Sequence, residues 1–433
     1  MNAGLSLEQA PPLSVPLRFF LSAPLFGLAA AGLLLWRGPD VLASRWSAGA
    51  LALSHLLALG VLSMVMCGAL WQMLPVLAGV RVAQPRRTGA LCHSLLVLGT
   101  LTLASGFLGA GQNAFRVAVL LLGLGLGAFL TVMGHALIRA PHAQDSVRGM
   151  RWALLGLAGT VGLGVTLGLG HGGLGLPLWR WPLTDLHLAW GLLGWIATLI
   201  AVVAWQVVPM FQMTPPYPLR MRRWLAAGLF VLLGWHSLAV WRGWPLARLP
   251  ALLLALVLAA LALITLRLLS RRRRKVADVS LAFWRVGMRA LLLASVIGAA
   301  SLLASPTAAA RLALAATLLF LLGFALSVVN GMLYKIVPFL VWLHLQQRLA
   351  TRIEVRHSIV LPNMKSIVPE KRSRQQFALH LAALLLLLLG VLLPTLLRPA
   401  AALWLADFAL LEWNLVQGVL CYRAECRHID HYR

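Results

Sequence analysis

The sequence predicts an all-helical integral membrane protein of twelve transmembrane helices, arranged as three related units of four. Hydrophobic residues make up 61% of the 433 residues, charged residues only 11%, and the mean hydropathy is +0.86. Such values are typical of polytopic membrane proteins. Long apolar runs recur along the whole chain, and one short motif occurs three times. We therefore treat residues 1–433 as a single membrane domain.

The twelve predicted helices are apolar runs of about twenty residues, long enough to cross the hydrocarbon core of a bilayer. The first run is predicted to be a retained helix, because no basic residue precedes Arg18 as a cleavable signal peptide requires. The runs lie near residues 17–36, 48–74, 90–110, 115–138, 151–170, 185–210, 223–241, 247–269, 286–304, 312–342, 377–397 and 400–421.

The basic residues indicate the orientation of the chain. The formal charge is +26, but Lys and Arg gather in the short connections between apolar runs, so they indicate topology and no nucleic-acid partner. With a cytoplasmic N-terminus, 27 of them fall on the inner side and 8 on the outer side. The positive-inside rule then predicts cytoplasmic termini in a bacterial-type inner membrane. The four cysteines are scattered and form no disulfide framework.

A repeated motif closes three of the apolar runs. It ends in a proline. A glycine lies fifteen positions before this proline, an aromatic residue four positions before it, and a long polar side chain three positions before it. A proline that ends a helix at the membrane surface explains one copy, but it does not explain why the glycine spacing of fifteen residues is kept. The copies, 134 and 129 residues apart, pair Gly60 with Pro75, Gly194 with Pro209, and Gly323 with Pro338.

The spacing of the motif predicts three repeats, near 17–138, 151–269 and 286–421. The motif falls on the second, sixth and tenth helices, and repeats in the same orientation are related by an axis along the membrane normal. We therefore expect a pseudo-threefold arrangement with the three prolines at one depth near the cytoplasmic surface. We also expect the three glycines to meet near the bundle axis, where a missing side chain permits close approach.

This organisation resembles subunit I of the heme-copper oxidases and the related NnrS family. The stretch from His55 through Gly60 and Cys67-Gly68 to Pro75 is similar to the second helix of that superfamily, in which a histidine near the outer end precedes glycines and a proline. The resemblance covers the whole chain in topology and helices 2, 6 and 10 in sequence. It implies that His55 matches an axial ligand of a low-spin heme.

The remaining ligands of that family are mostly missing. Helix 10 has no histidine between Leu312 and Val341, where the family has two heme ligands. Helix 7 has only His236 in place of an adjacent pair of copper ligands, and His187 lies nearer the outer end of helix 6 than the family's copper ligand. The resemblance therefore implies no oxygen-reducing centre, and whether the protein is an enzyme stays open.

The histidines that remain are candidate ligands for heme b or copper. Neutral imidazole binds heme iron, copper and zinc, and a histidine inside a membrane is a functional hypothesis by default. We predict His55, His236 and His187 as cofactor-binding residues, and His187, His236 and His171 as metal ligands. His55 is expected to point into the bundle, while interhelical hydrogen bonding remains the alternative for each histidine.

Acidic residues are scarce: the chain has eleven, and the interiors of helices 2, 6 and 10 contain none. We therefore do not predict coupled proton pumping. Glu412 lies inside an apolar run, either as a protonated acid bonded to a neighbouring helix or as part of a site. The tail from Cys421 to His431 has ligand residue types without an established zinc spacing, and we interpret it as a basic tail.

Our functional hypothesis is a heme-copper-oxidase-like membrane protein without oxygen reduction, which binds heme or a metal near its outer face for electron transfer or cofactor handling. Its partners would be the lipid bilayer and a respiratory or c-type cytochrome. Two other classes stay open, because a fold hosts many functions. They are a transporter or assembly factor for a small molecule, metal or heme, and a structural subunit of a respiratory complex.

Overall fold

A computed structural model describes residues 9–80, 82–140, 145–175, 180–244, 248–352 and 358–431. Within these ranges all regular structure is helical, and twelve helices are long and apolar enough to cross a membrane. This confirms an all-α, multi-pass membrane protein. The helices, named α1 to α12 here, are Ser14–Val41, Ala48–Val76, Pro85–Ala110, Gln112–Arg139, Asp145–His171, Pro182–Gln212, Leu219–Trp241, Arg248–Ser270, Val279–Ser301, Pro306–Ala350, Glu370–Gly390 and Pro394–His431.

The helices close into a ring. Each helix packs against the next one along the chain, and α1 packs against α12. The beginning and the end of the described chain both contact the last turns of α10, since the His344 ring lies 3.3 Å from the Pro11 carbonyl oxygen and Arg348 pairs with Asp430. We call this end of the bundle, which also holds the loop 271–278, the basic end.

Several helices extend beyond the apolar runs that predict them. α9 begins at Val279 instead of 286, because the Asp278 carboxylate accepts a hydrogen bond from the Leu281 N–H and caps the helix. α10 continues to Ala350 and α12 to His431, so the predicted basic tail is the last three turns of a helix. Hydropathy marks only the part of a helix inside hydrocarbon, and polar residues prolong it outside.

The three motif prolines lie inside helices and do not end them. The helices that contain Pro75 and Pro209 each continue for three residues, to Ala78 and Gln212, and the helix that contains Pro338 continues to Ala350. A proline has no N–H, so the carbonyl four residues earlier loses its helical partner. That residue is the aromatic member of the motif in every copy. Side chains next to all three prolines line one small cavity of about 80 Å³, including Gln72, Gln206 and Ile336.

Each central helix, α2, α6 and α10, contains an eight-residue π-helical segment. The segments are Leu56–Ser63, Trp190–Ala197 and Leu319–Leu326, so they begin at the same distance before each motif proline. The motif glycine is the fifth residue of each segment. A π-segment is rare and widens the helix by one residue in a turn. Hydrophobicity cannot predict it, because the apolar pattern continues through it unchanged.

The prediction that the motif glycines meet near the bundle axis is wrong. Each faces the first helix of its own group of four. A side chain on Gly60 would overlap Phe26 of α1, and one on Gly323 would lie 2.6 Å from the Ala290 Cβ of α9. A Cβ atom on Gly194 would lie 3.3 Å from the Gly156 Cα atom of α5. The missing side chain thus permits a neighbouring helix to approach closely, and at Gly60 the Phe26 ring occupies the space.

Candidate functional site

A cavity with a volume of about 340 Å³ lies toward the end of the bundle opposite to the basic end. It is enclosed by α2 to α6 with one contact from α10, and its wall is mainly apolar. Its size is in the range of about 300–1,000 Å³ found for small-molecule and cofactor sites. Three of the four predicted histidines line it, and we call it the histidine cavity: His55, His187 and His171.

His55 is held at the start of the π-segment of α2. Its Nδ1 lies 2.7 Å from the Leu51 carbonyl oxygen, one turn earlier in the same helix. A carbonyl oxygen only accepts, so this contact places the imidazole proton on Nδ1. Nε2 then carries the lone pair, and among the described residues it has no hydrogen-bond partner. The predicted orientation of His55 into the bundle agrees with its place in the cavity wall.

His187 is held in the same way from the neighbouring helix. Its Nδ1 lies 3.0 Å from the Thr160 carbonyl oxygen of α5, so its proton also lies on Nδ1. Gly164 makes room for the ring, because a side chain there would lie 2.9 Å from the His187 Cε1 atom. Within the described chain Nε2 of His187 has no hydrogen-bond partner either. A backbone bond that fixes the tautomer is the usual support for a metal-bound histidine.

The two rings form a pair. Their centres are 6.1 Å apart, and their planes differ by 16°. Two imidazoles bound to opposite sides of one metal ion, with metal–nitrogen bonds of about 2.0–2.1 Å, have ring centres roughly 6 Å apart. This separation is close to the one that His55 and His187 would have if both rings held one metal ion. Helix 10 supplies no histidine, and the second ring comes from α6.

His171 belongs to the same wall but not to the pair. The Phe107 ring lies between it and His55, with its centre 5.3 Å from His55 and 5.4 Å from His171. The Phe115 ring stacks on His171 at 4.8 Å. Across the described residues, no group of three His, Cys, Asp or Glu side chains is placed to hold a metal ion. The cavity wall thus holds two neighbouring imidazole rings, each with its Nδ1 bonded to a backbone carbonyl, together with aromatic side chains.

His236, which the sequence ranks with His55, does not line the histidine cavity. It lies on α7, next to Ser237, whose hydroxyl accepts a hydrogen bond from the Trp190 Nε1–H of α6 at 3.0 Å. A shared residue type on two apolar helices does not place two side chains on the same face of a bundle. Helix rotation decides this, and it follows from packing.

Polar contacts mark the floor and the rim of the histidine cavity. At the floor the Trp195 Nε1–H donates to the Ser63 hydroxyl at 3.0 Å, which joins α6 to α2. At the rim Arg45 pairs with Asp185 at 2.9 Å, with both side chains about half exposed. Arg116 donates from Nε to the Gly172 carbonyl oxygen at 2.7 Å. Cationic groups therefore stand at the rim, while the interior is apolar.

The structure also contains a polar group that the sequence analysis missed. His380 of α11 and Asp407 of α12 lie side by side with 2% and 0% of their side chains exposed, 3.4 Å apart. The predicted apolar run begins at 377, only three residues before His380, whereas α11 begins at Glu370 and buries His380 ten residues from its start. An ionisable residue in each of two consecutive helices is a signal that could have identified the pair. Glu412 lies on α12, half-buried.

A comparison with models of protein families finds no match for this chain, and a comparison with curated proteins also finds none. The geometry described above therefore carries the functional argument by itself.

Proposed function

We propose that the protein binds heme in the histidine cavity, with His55 and His187 as its axial ligands. One observation carries the proposal: two nearly parallel imidazoles lie 6.1 Å apart on an apolar cavity, and backbone carbonyls hold the proton of each on Nδ1. Both Nε2 lone pairs are thus available to one metal centre. Heme supplies a one-electron redox centre when it is bound there.

The surrounding residues support heme over an isolated copper or zinc ion. A protein site for zinc or copper commonly has three or four protein ligands, whereas the described residues bring two nitrogens together here. The aromatic rings of Phe107 and Trp195 give the cavity flat apolar walls. The rim cations Arg45 and Arg116 are suited to carboxylate groups at the entrance.

In this proposal the protein is a heme-copper-oxidase-like membrane protein that does not reduce oxygen and serves electron transfer or cofactor handling. The matched π-segments of α2, α6 and α10 support three repeats of four helices. The positive-inside rule places the basic end in the cytoplasm of a bacterial-type cell. The histidine cavity then faces the outer side, where a c-type cytochrome could reach it as a partner.

The test uses the full chain purified in detergent, and its visible spectrum is recorded as isolated and after addition of hemin. We expect the spectrum of a six-coordinate low-spin heme. His55→Ala and His187→Ala should each convert it to a high-spin spectrum and weaken hemin binding by at least about tenfold. His236→Ala is the matched control, because this histidine lies outside the cavity wall, and it should leave the spectrum unchanged.

The opposite results are equally clear. A folded protein that retains no heme after unbound hemin is removed would eliminate heme from the proposal. It would leave the histidine cavity as a site for another small molecule, as a transporter or assembly factor requires. An unchanged low-spin spectrum in both His55→Ala and His187→Ala would show that heme binds elsewhere.

A further inference from the structure

A second polar site lies in the last group of four helices, away from the histidine cavity. The Gln376 Nε2–H donates to Asp407 Oδ1 at 2.6 Å, and His380 Nδ1 lies 3.4 Å from Asp407 Oδ2. On the other side of the imidazole, His380 Nε2 lies 2.8 Å from the Ser327 hydroxyl of α10. We call these four residues the Asp407 cluster. They join α10, α11 and α12 halfway along the helices, and each is 3% exposed or less.

The Asp407 cluster has the residue types and order of contacts of a hydrolase triad, but it cannot act as one. Ser327 has no exposed surface and lines neither of the two cavities described above. A nucleophile must reach a bound substrate, and a triad needs donors for the developing oxyanion. Ser327 lies within a continuous helix whose N–H groups are used by the helix itself. The chemistry of the cluster is therefore that of proton binding.

Its hydrogen bonds allow two states that differ by one proton. In the first, Ser327 donates to His380 Nε2, and His380 Nδ1–H donates to the Asp407 carboxylate, with a net charge of −1. In the second, a protonated Asp407 donates to Nδ1, Nε2–H donates to the Ser327 oxygen, and Ser327 donates to the Leu322 carbonyl oxygen. That carbonyl lies 3.3 Å from the Ser327 hydroxyl in the structure. No covalent bond changes except O–H and N–H.

The surroundings favour uptake of this proton. α1 packs against Asp407's helix with apolar residues, Phe408 lying against Gly27. From α9 the Phe283 ring lies 5.4 Å from the His380 ring. Tyr334 of α10 is a further titratable group near Asp407, and Glu412 lies five residues along the same helix. No cation faces the carboxylate apart from His380, and a net charge in such a site is costly.

A line of polar side chains leads from the Asp407 cluster toward the basic end. Asn414, two turns beyond Asp407 on α12, donates to the Tyr334 hydroxyl at 3.0 Å. Lys335 follows Tyr334 and pairs with Asp278 at 2.6 Å, where the side chains are 18% and 13% exposed. Eight residues of α-helix separate Ser327 from Lys335, a rise of about 12 Å. The line thus spans the distance from the cluster to the surface.

Along this line, buried polar atoms have no hydrogen-bond partner within the described residues. They are Gln376 Oε1, both side-chain polar atoms of Asn330, Asn414 Oδ1 and Ser280 Oγ. Gln376 and Asn330 have no exposed surface. Buried polar atoms are normally satisfied, by protein or by ordered water, so each such atom needs an explanation. Atoms of this kind on four adjacent helices are suited to carry water between Asp407 and the basic end.

We propose that the Asp407 cluster is a proton-binding site inside the membrane, which exchanges one proton with water at the basic end along Asn330, Asn414 and Tyr334. The proposal does not depend on heme binding, since it uses other helices and other residues. It assigns proton exchange from one side only, and no passage to the opposite face. Through Ser327 and Leu322, the added proton also changes a hydrogen bond of the α10 π-segment.

The test is an infrared pH titration of the full chain in lipid nanodiscs, which detects the C=O band of a protonated carboxyl group. We expect a band that falls with rising pH, shifts when aspartate is labelled with ¹³C, and disappears in Asp407→Asn. Glu412→Gln is the matched control, a carboxyl change on the same helix, and it should keep this band. The ¹³C shift is measured on the wild-type chain, so it does not require the variant to fold.

The access line is tested by the rate at which this band shifts after transfer into D₂O. Asn414→Leu should slow the exchange by about tenfold, because it removes the polar link to Tyr334. Ser295→Ala is the control, since that buried hydroxyl bonds only to Leu291 of its own helix. The absence of any ¹³C-sensitive acid band, its persistence in folded Asp407→Asn, or unchanged exchange in Asn414→Leu would overturn the proposal.

Discussion

The closest approach of two helix backbones near the histidine cavity occurs at Gly156 of α5. A Cβ atom built on this glycine would lie 2.1 Å from the Gly194 carbonyl oxygen and 2.3 Å from its carbonyl carbon. Side-chain rotation cannot relieve the contact, because both atoms belong to the backbone of α6. We therefore expect Gly156→Ala to force α5 and α6 apart until this distance reaches at least 3.0 Å.

The cost can be estimated from two opposing effects. An alanine inside a helix is more favourable than glycine by about 0.8–1.0 kcal/mol. Overpacking a tight interface costs about 1–3 kcal/mol, and a gap of 0.5–1 Å forfeits about a quarter to a half of each dispersion contact. Gly162, two turns further along α5, has nothing within 4 Å of an added Cβ. Gly162→Ala should therefore be neutral or stabilising, and because the helix-propensity gain is common to both variants, they should differ by the overpacking cost of about 1–3 kcal/mol.

The assay is equilibrium unfolding of both variants in mixed micelles, followed by tryptophan fluorescence and circular dichroism. Thr160, whose carbonyl holds the His187 ring, lies one turn from Gly156. Separation of α5 from α6 should therefore also weaken hemin binding in Gly156→Ala and leave it unchanged in Gly162→Ala. Equal stability of the two variants would refute the close contact of α5 and α6.

Three further predictions follow from the structure. Burial alone would raise the pKa of Asp278, but Lys335, the Leu281 N–H and Arg274 lower the pKa of this carboxyl. Ionised Asp278 therefore stabilises the folded protein fully above its unfolded-state pKa of about 3.9. This contribution to the free energy of unfolding is lost as the pH falls through the lower pKa of the folded state. Asp278→Asn should lower the unfolding midpoint at pH 7 and reduce its acid dependence. In thiol labelling of the folded protein, the partly exposed Cys421 and Cys426 should react before the buried Cys67 and Cys92, and equal rates would contradict this order. Single cysteines at Arg273 and Arg311 should be labelled from opposite sides of the membrane, with position 273 protected in intact cells; the reverse result would refute the predicted orientation.

The sequence predicts the twelve helices well because hydropathy and length are local properties. It predicts helix ends less well, since α11 begins seven residues before its apolar run, and this error moved His380 from the interior to the boundary. The glycine and proline spacing correctly singles out α2, α6 and α10. The direction in which each glycine faces depends on helix rotation, and a spacing along one chain contains no such information.

For the candidate site, too, the sequence predicts local properties such as residue type but does not predict contacts between helices. Residue type and depth are enough to select His55, His187 and His171 from twelve histidines. The pairing of His55 with His187 requires contact between α2 and α6, and the separation of His171 depends on the Phe107 ring. His236 has the residue type and lies on an apolar helix, but it does not line the cavity. Helix packing decides which side chains of a bundle meet. This packing cannot be read from residue types and spacings along the sequence.

The three central helices show how one backbone feature can serve different chemistry. A hydroxyl follows two of the π-segments directly and bonds to the carbonyl five residues earlier: Thr198 to Leu193 at 2.7 Å, and Ser327 to Leu322 at 3.3 Å. A π-turn leaves such a carbonyl without its usual α-helical partner, and a hydroxyl satisfies it. The matching residue in α2 is Met64, which cannot form this bond.

The residues of the two proposed sites lie at positions where the three helices differ in sequence. His55 directly precedes the π-segment of α2, whereas Ala189 and Leu318 occupy the matching positions in α6 and α10. Ser327 bonds to His380, whereas Thr198 bonds only to its own helix. Substitution of Thr198 and of Ser327 therefore distinguishes the structural role of the hydroxyl group from its role in proton binding. Thr198→Ala and Ser327→Ala should cost similar stability, about 0.5–1.5 kcal/mol each for the lost hydrogen bond, and only Ser327→Ala should shift the titration of the Asp407 acid band. A shift in Thr198→Ala of equal size would mean that the π-segments act on the band through the fold as a whole.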